Sequence, residues 1–211
     1  SGLTNFWILG DYTTSPAYDI KFYSTMHNSL GYSSGVRKVS FSCDFTPVQY
    51  ARLCSDSAFI SVDKILKKNH SERNDMETKL INSINWLSEV TTHYLAVNDN
   101  IVRLFIALEV LLISSKNEEK GNNIAERLSL INYVDKVDRE GAFNFVKKMY
   151  GIRNNIAHEG RASVYEKDYA QLILELQRSI AKIASRIAVY PTFNSLLEKF
   201  QSAKFSSAFQ L

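Results

Sequence analysis

Two regimes of hydrophobic patterning meet near residue 45. Val39, Phe41, Cys43 and Phe45 alternate with Lys38, Ser40, Ser42 and Asp44, the period of two that marks a half-buried strand. Residues 5–9 and 18–23 are also rich in aromatic and β-branched side chains. Gly10-Asp11, Ser15-Pro16 and Ser33-Ser34-Gly35 supply turn formers between these stretches. Residues 3–45 therefore predict two or three strands that pair among themselves and pack on the edge of the helical region. We treat residues 1–45 as a β-rich segment, the end of an N-terminal domain whose beginning is missing, and residues 46–211 as a helical domain.

Beyond residue 45 the period changes to that of a helix and stays there. Thr46-Pro47 is a helix start, an N-cap followed by proline at the first helical position, and predicts one helix from 47 to 67. A polar break spans 69–75. Met76, Leu80, Ile81, Ile84, Leu87, Thr91, Tyr94 and Leu95 then form one apolar stripe. Asn98-Asp99-Asn100 interrupts it, with Asp99 or Asn100 placed to cap the next helix. That helix, 101–114, carries only Arg103 and Glu109 as charges, and a helix apolar nearly all round belongs in the middle of a bundle. Glu109 then needs a cationic partner, because an uncompensated buried carboxylate is costly. Shorter and longer helices come next over 123–131, 139–159 and 166–189; Pro191 stops the last, and 193–205 adds a turn or two. The fold class is mainly α, a bundle of six or so helices with a small N-terminal β-rich segment.

Composition narrows the function classes. The chain has 211 residues, 45% of them hydrophobic, with 8 Gly and 3 Pro, which excludes collagen-like, linker-like and disordered readings. Folding at this length buries about 70% of the unfolded surface, enough for one core without staples. No apolar run is long enough for a membrane span, so no membrane partner is expected. Two cysteines, Cys43 and Cys54, make neither a disulfide framework nor a metal site, and nothing reads as a signal peptide; both favour a cytoplasmic protein. Ser1-Gly2 without a methionine reads as a cloning remnant or a fragment boundary, which leaves room for a longer parent. The net charge of +3 is too mild to establish nucleic-acid binding or to exclude it.

Few places remain for chemistry. His27, His70, His93 and His158 show no metal-ligand spacing, and neither a P-loop, a GxGxxG string nor a nucleophile elbow is present. No cofactor or metal is implied. The informative segment is 149–160, Met-Tyr-Gly-Ile-Arg-Asn-Asn-Ile-Ala-His-Glu-Gly. On a helix, Phe145, Met149, Ile152 and Ile156 fall within about 60° and face the core. Arg153, Ala157, Asn154 and His158 occupy a contiguous outward arc. Asn154 and His158 are four apart, so the amide can hydrogen-bond the imidazole and fix its tautomer. Arg153 and His158 diverge by about 140° and about 7.5 Å along the axis, so they do not converge within one helix. With small Ala157 between them, the arc suits a two-fold contact in which one chain's Arg153 lies near the other's His158. Each residue also has a plainer reading. Arg153 can pair with Glu109 and lock two helices together, and His158 can be structural or simply solvent-exposed. Lys147, Lys148 and Arg161 can be a solvated face, and Tyr150 core or interface.

Arg-Asn-Asn-Ile-Ala-His resembles the Arg-x4-His signature of HEPN domains, including the polar residue directly after the arginine. With Ala107-Leu108-Glu109 in the apolar helix upstream, the segment is most similar to the Apea-like branch, over about residues 99–190. The β-rich residues 3–45 fall outside that likeness and suit the tail of an N-terminal domain found in larger Apea-like proteins. The resemblance implies a bundle that dimerises across the motif helices, and a metal-independent endoribonuclease of toxin–antitoxin or phage-defence systems. Its partners would be an RNA substrate, a second copy of the chain, and a further domain or antitoxin. Carried over by residue, Arg153 and His158 are catalytic and Asn154 supporting. The residue chemistry is compatible: the His158 imidazole can take a proton from a ribose 2′-OH, and Arg153 can stabilise charge on the phosphate. Lys147, Lys148 and Arg161 would contact the RNA backbone, Glu109 would support the motif helix, and Ala157 would sit at the dimer contact. The alternative is a non-catalytic HEPN module that dimerises or binds nucleic acid or nucleotide.

Overall fold

The computed structural model describes residues 16–18, 36–38, 47–92, 96–115 and 117–203. In the first 45 residues it places two three-residue strands, β1 (Pro16–Tyr18) and β2 (Val36–Lys38), paired antiparallel with Ala17 opposite Arg37. The expected strand over 5–9, most of those over 18–23 and 36–45, and any packing of this segment on the bundle lie outside the described residues.

The described remainder is helical: α1 (Pro47–Ser55), α2 (Ser57–Leu66), α3 (Asp75–Thr92), α4 (Val97–Leu112), α5 (Lys120–Asn132), α6 (Lys136–Glu159), α7 (Glu166–Arg186) and α8 (Phe193–Ala203). A 3-10 turn, His70–Glu72, sits in the polar break between α2 and α3. The single helix expected over 47–67 is two. Asp56 is extended (ψ 125°), and its carboxylate accepts from the N–H groups of Ala58 and Phe59, both at 2.9 Å, so it caps a new helix. Asn98-Asp99-Asn100, expected as a break, forms the first turn of α4 after Ala96. Asn100 is buried there, and its amide donates to the Tyr169 hydroxyl on α7 at 3.1 Å. α5 and α6 begin three residues earlier than the pattern predicts, α6 because Asp135 caps the N–H groups of Val137 and Asp138.

α4 occupies the middle of the bundle, touching α3, α5, α6 and α7. Ile101, Leu104, Phe105, Ala107, Leu108, Leu111 and Leu112 are wholly buried, as its near-uniform apolarity predicts. A single core cluster runs from Ala58 on α2 to Phe200 on α8. The C-terminal carbonyls of α4 are met by cations from other helices. Lys79 donates to the carbonyls of Val110 and Ile113, and Arg127 to that of Leu112. The end of α5 is closed the same way, with Lys182 of α7 donating to the carbonyls of Ile131 and Asn132, both at 2.9 Å.

One polar knot crosses the core between α5 and α7. Glu175 is 1% exposed; its carboxylate accepts from the Asn132 amide at 2.8 Å and from the Tyr133 hydroxyl, and pairs with Arg178 at 3.6 Å. Ser179 donates to the Asn132 side-chain carbonyl at 3.2 Å and to the Glu175 backbone carbonyl at 3.0 Å. Burial, and the hydrogen bond to a carboxylate, push the Tyr133 phenol up to about 12.

Candidate functional site

The 24 residues of α6 carry the whole Arg153–His158 segment. The helix ends where Gly160 adopts a left-handed backbone (φ 76°) and returns its N–H to the Ile156 carbonyl at 2.9 Å. A side chain at 160 would strain that turn. Ala142, Val146, Met149 and Ile156 are buried, and Phe145 and Ile152 pack against the core partly covered. Lys147, Gly151, Ala157 and His158 are exposed, and Asn154 is half-exposed. The exposed face of α6 therefore runs through 144, 147, 151, 155 and 158, with Asn154 and Ala157 towards its edge.

Arg153 lies at the edge of that face, turned inward. Its guanidinium is 3.6 Å from Glu109 on α4 and 5.8 Å from the centre of the Tyr150 ring, one turn back on α6. Tyr150 in turn meets Phe105 of α4 edge to face, with centroids 5.3 Å apart. Gly121, at the start of α5, also closes on the ring: a Cβ there would come within 2.8 Å of the Tyr150 Cδ1. Glu109 has a second cation, Lys120 Nζ at 2.7 Å from Oε2. Its Oε1, like Arg153 Nε, is buried without a hydrogen bond among the described residues. The guanidinium thus meets α4 directly through Glu109 and its own helix through Tyr150, while Phe105 of α4 and Lys120 and Gly121 of α5 border those two partners.

The Asn154 amide serves a different neighbour from the one expected. Its Oδ1 accepts from Arg153 Nη1 at 3.3 Å, and among the described residues no hydrogen bond joins it to His158. His158 stands exposed in the last turn of α6. The basic residues expected to contact RNA are dispersed. Lys148 is tied to Asp168 at the start of α7 at 2.6 Å, Lys147 lies 5.6 Å over the Phe143 ring, and Arg161 is exposed just past the helix. His70 is exposed in its turn, and His27 and His93 lie outside the described residues. Among the described residues no three His, Cys, Asp or Glu side chains gather into a metal-binding group, and no helix is long and apolar enough to cross a membrane.

Lys120 and Gly121 carry no sequence signal for this site. They open α5, eleven and twelve residues past Glu109, and only the packing of α5 on α4 and α6 brings Lys120 to Glu109 and Gly121 to Tyr150. The glycines provide a direct check. Gly121→Ala should lower the thermal midpoint, because overpacking against Tyr150 costs about 1–3 kcal/mol and outweighs the helix-propensity gain. Gly141→Ala in α6, where a Cβ meets nothing within 4 Å, should raise it through a gain of about 0.5–1 kcal/mol. Thermal unfolding of the two variants beside the unaltered chain reads both signs. Comparison of the chain with protein-family models, with curated proteins and with solved structures finds no match.

Proposed function

We propose that the chain is a HEPN-type, metal-independent endoribonuclease of the Apea-like kind, active as a two-fold dimer in which Arg153 of one copy and His158 of the other act on one phosphate. The observation that carries this reading is the division of labour on α6. An arginine with an unspent Nε–H donor contacts Glu109, Tyr150 and Asn154 at the rim of an exposed face, and an exposed histidine stands on that face five residues on. The two diverge by about 140° around the helix, so a second copy is the direct way to bring them together. Gly151, Asn154 and Ala157 leave the face between them low enough for another helix to approach.

In the reaction, neutral His158 takes the proton from a ribose 2′-OH and the 2′ oxygen attacks the adjacent phosphorus in line. The bond to the 5′ oxygen breaks, that oxygen takes a proton from solvent, and a 2′,3′-cyclic phosphate and a 5′-hydroxyl result. Arg153 stabilises the charge that builds on the non-bridging oxygens. Asn154 holds the guanidinium through its side-chain carbonyl, so Asn154→Ala should cost about 10-fold, as loss of a supporting partner typically does. Lys147 and Arg161 remain open to RNA phosphates; Lys148 must first leave Asp168. A toxin or phage-defence role, with an antitoxin or further domain as partner in the cytoplasm, rests on the family likeness alone.

The test is incubation of the chain with mixed RNA in excess chelator, with mapping of the ends. Cleavage leaving cyclic phosphate ends, abolished by a single 2′-deoxy substitution at the cut site, is the expected result. Cleavage indifferent to that substitution overturns the 2′-OH mechanism, and loss of activity in chelator overturns its metal independence. The Arg153–Glu109 ion pair favours one second reading, a non-catalytic dimerisation module in which Arg153 only joins α6 to α4. An RNA-inert but dimeric chain would establish that reading instead.

A further inference from the structure

Glu109 sits between two cations and is bound unequally to them. Lys120 holds Oε2 at 2.7 Å in a close, charge-assisted hydrogen bond. Arg153 stands 3.6 Å from Oε1, beyond hydrogen-bond reach. Both Oε1 and Arg153 Nε are buried and lack hydrogen-bond partners among the described residues. A carboxylate beside an arginine ordinarily takes it in a two-pronged, parallel pair, satisfying these same two kinds of atom. Here the side chains are only 16% and 25% exposed, so such a pair would be strong and would neutralise the arginine. Lys120 of α5 instead holds the other carboxylate oxygen, and the guanidinium carbon lies 5.8 Å from the centre of the Tyr150 ring, which Gly121 and Phe105 also border. The three charged groups together carry one net positive charge, and the part not closely paired is Arg153.

We propose that Lys120 is a positioning residue: by anchoring Glu109 it holds the carboxylate off Arg153 and keeps the guanidinium open to an RNA phosphate. The proposal rests on the nuclease reading for its consequence, but the arrangement it describes can be tested without RNA. In Lys120→Met the freed carboxylate swings onto Arg153. Cleavage at saturating RNA should fall about 10-fold or more, since a clamp displaced or neutralised loses much of its effect on the transition state. The KM should change less than about twofold, because Lys120 does not itself bind the RNA. Replacing Glu109 by Gln removes the competitor, so adding Lys120→Met to Glu109→Gln should cost nothing further. That non-additivity separates positioning from simple support of the fold.

The experiment is this cycle of four proteins, read by single-turnover cleavage and by the NMR signal of the Arg153 Nε–H group. The signal should move in Lys120→Met, where Nε gains a carboxylate acceptor, and stay in place when Lys120→Met is combined with Glu109→Gln. A rise in KM with kcat unchanged makes Lys120 an RNA contact and overturns the proposal. Equal losses from Lys120→Met in both backgrounds, or an unmoved Nε–H signal, overturn it as well. If the unaltered chain cleaves no RNA, the nuclease reading falls while the NMR arm still decides whether Lys120 keeps Glu109 from Arg153.

Discussion

His158→Ala should abolish RNA cleavage and leave the fold untouched. The imidazole is exposed in the last turn of α6, so truncation opens no cavity, and the unfolding free energy should shift by no more than about 0.5 kcal/mol. Removing a general base costs about 10²–10⁴ in rate. Arg153→Ala should be as damaging to cleavage but is not equally innocent. Arg153 is three-quarters covered, and its loss should destabilise by about 1–2 kcal/mol through the lost ion pair with Glu109 and the lost packing beside Tyr150. Arg153→Lys keeps a charge near Glu109 but gives up the planar fork and the guanidinium's contact with the Tyr150 ring. It should therefore hold stability near that of the unaltered chain while remaining inactive. Urea titration beside cleavage kinetics separates the two effects. If His158→Ala unfolds the chain, the histidine is structural and the catalytic assignment fails.

The largest stability loss outside the apolar core is expected at Glu175. Its carboxylate, 1% exposed, is the acceptor on which Asn132, Tyr133 and Arg178 converge. Glu175→Ala leaves that amide and hydroxyl without their acceptor, while the half-exposed Arg178 turns to solvent, and each orphaned polar group costs about 1–3 kcal/mol. Glu175→Gln keeps the shape and one acceptor and should cost distinctly less. The same knot sets an alkaline limit. The Tyr133 phenol is held near 12 in the folded chain, above its ordinary value of 10.0, so the proton is bound more tightly folded than unfolded. That contribution is complete below pH 10 and is lost as the pH rises towards 12, and solvent exposure of the ring reduces its size. Unfolding midpoints measured from about pH 9 to about pH 12 should fall for the unaltered chain and fall less steeply for Tyr133→Phe.

The apolar architecture was legible because periodicity is a local property. The stripe from Met76 to Leu87 and the nearly charge-free helix around Leu108 are the buried faces of α3 and α4. Breaks and partners were less legible, because they depend on where distant groups arrive. Asp56 splits a continuous helical pattern by bonding two N–H groups ahead of it, whereas Asn98-Asp99-Asn100 stays helical with Asn100 buried against Tyr169, 69 residues away. At the candidate site, the inward face of α6 and the need of Glu109 for a cation can be read from sequence. That Lys120 is the nearer cation, that Asn154 serves Arg153, and that the arginine leaves the outward arc emerge only from the packing of α4, α5 and α6. The β-rich reading of residues 3–45 meets the described residues only in the short β1–β2 pair.

The central claim is that one active site needs Arg153 from one copy and His158 from another, and mixing two inactive proteins tests it most directly. Arg153→Lys and His158→Ala chains, each without activity alone, are unfolded together, refolded and assayed on RNA in chelator. Random pairing makes about half the dimers mixed, and in each mixed dimer one site regains both residues while the other loses both. Recovery of about a quarter of the unaltered activity is expected. Mixtures that stay as inactive as their parents, although shown to be dimeric, would contradict it.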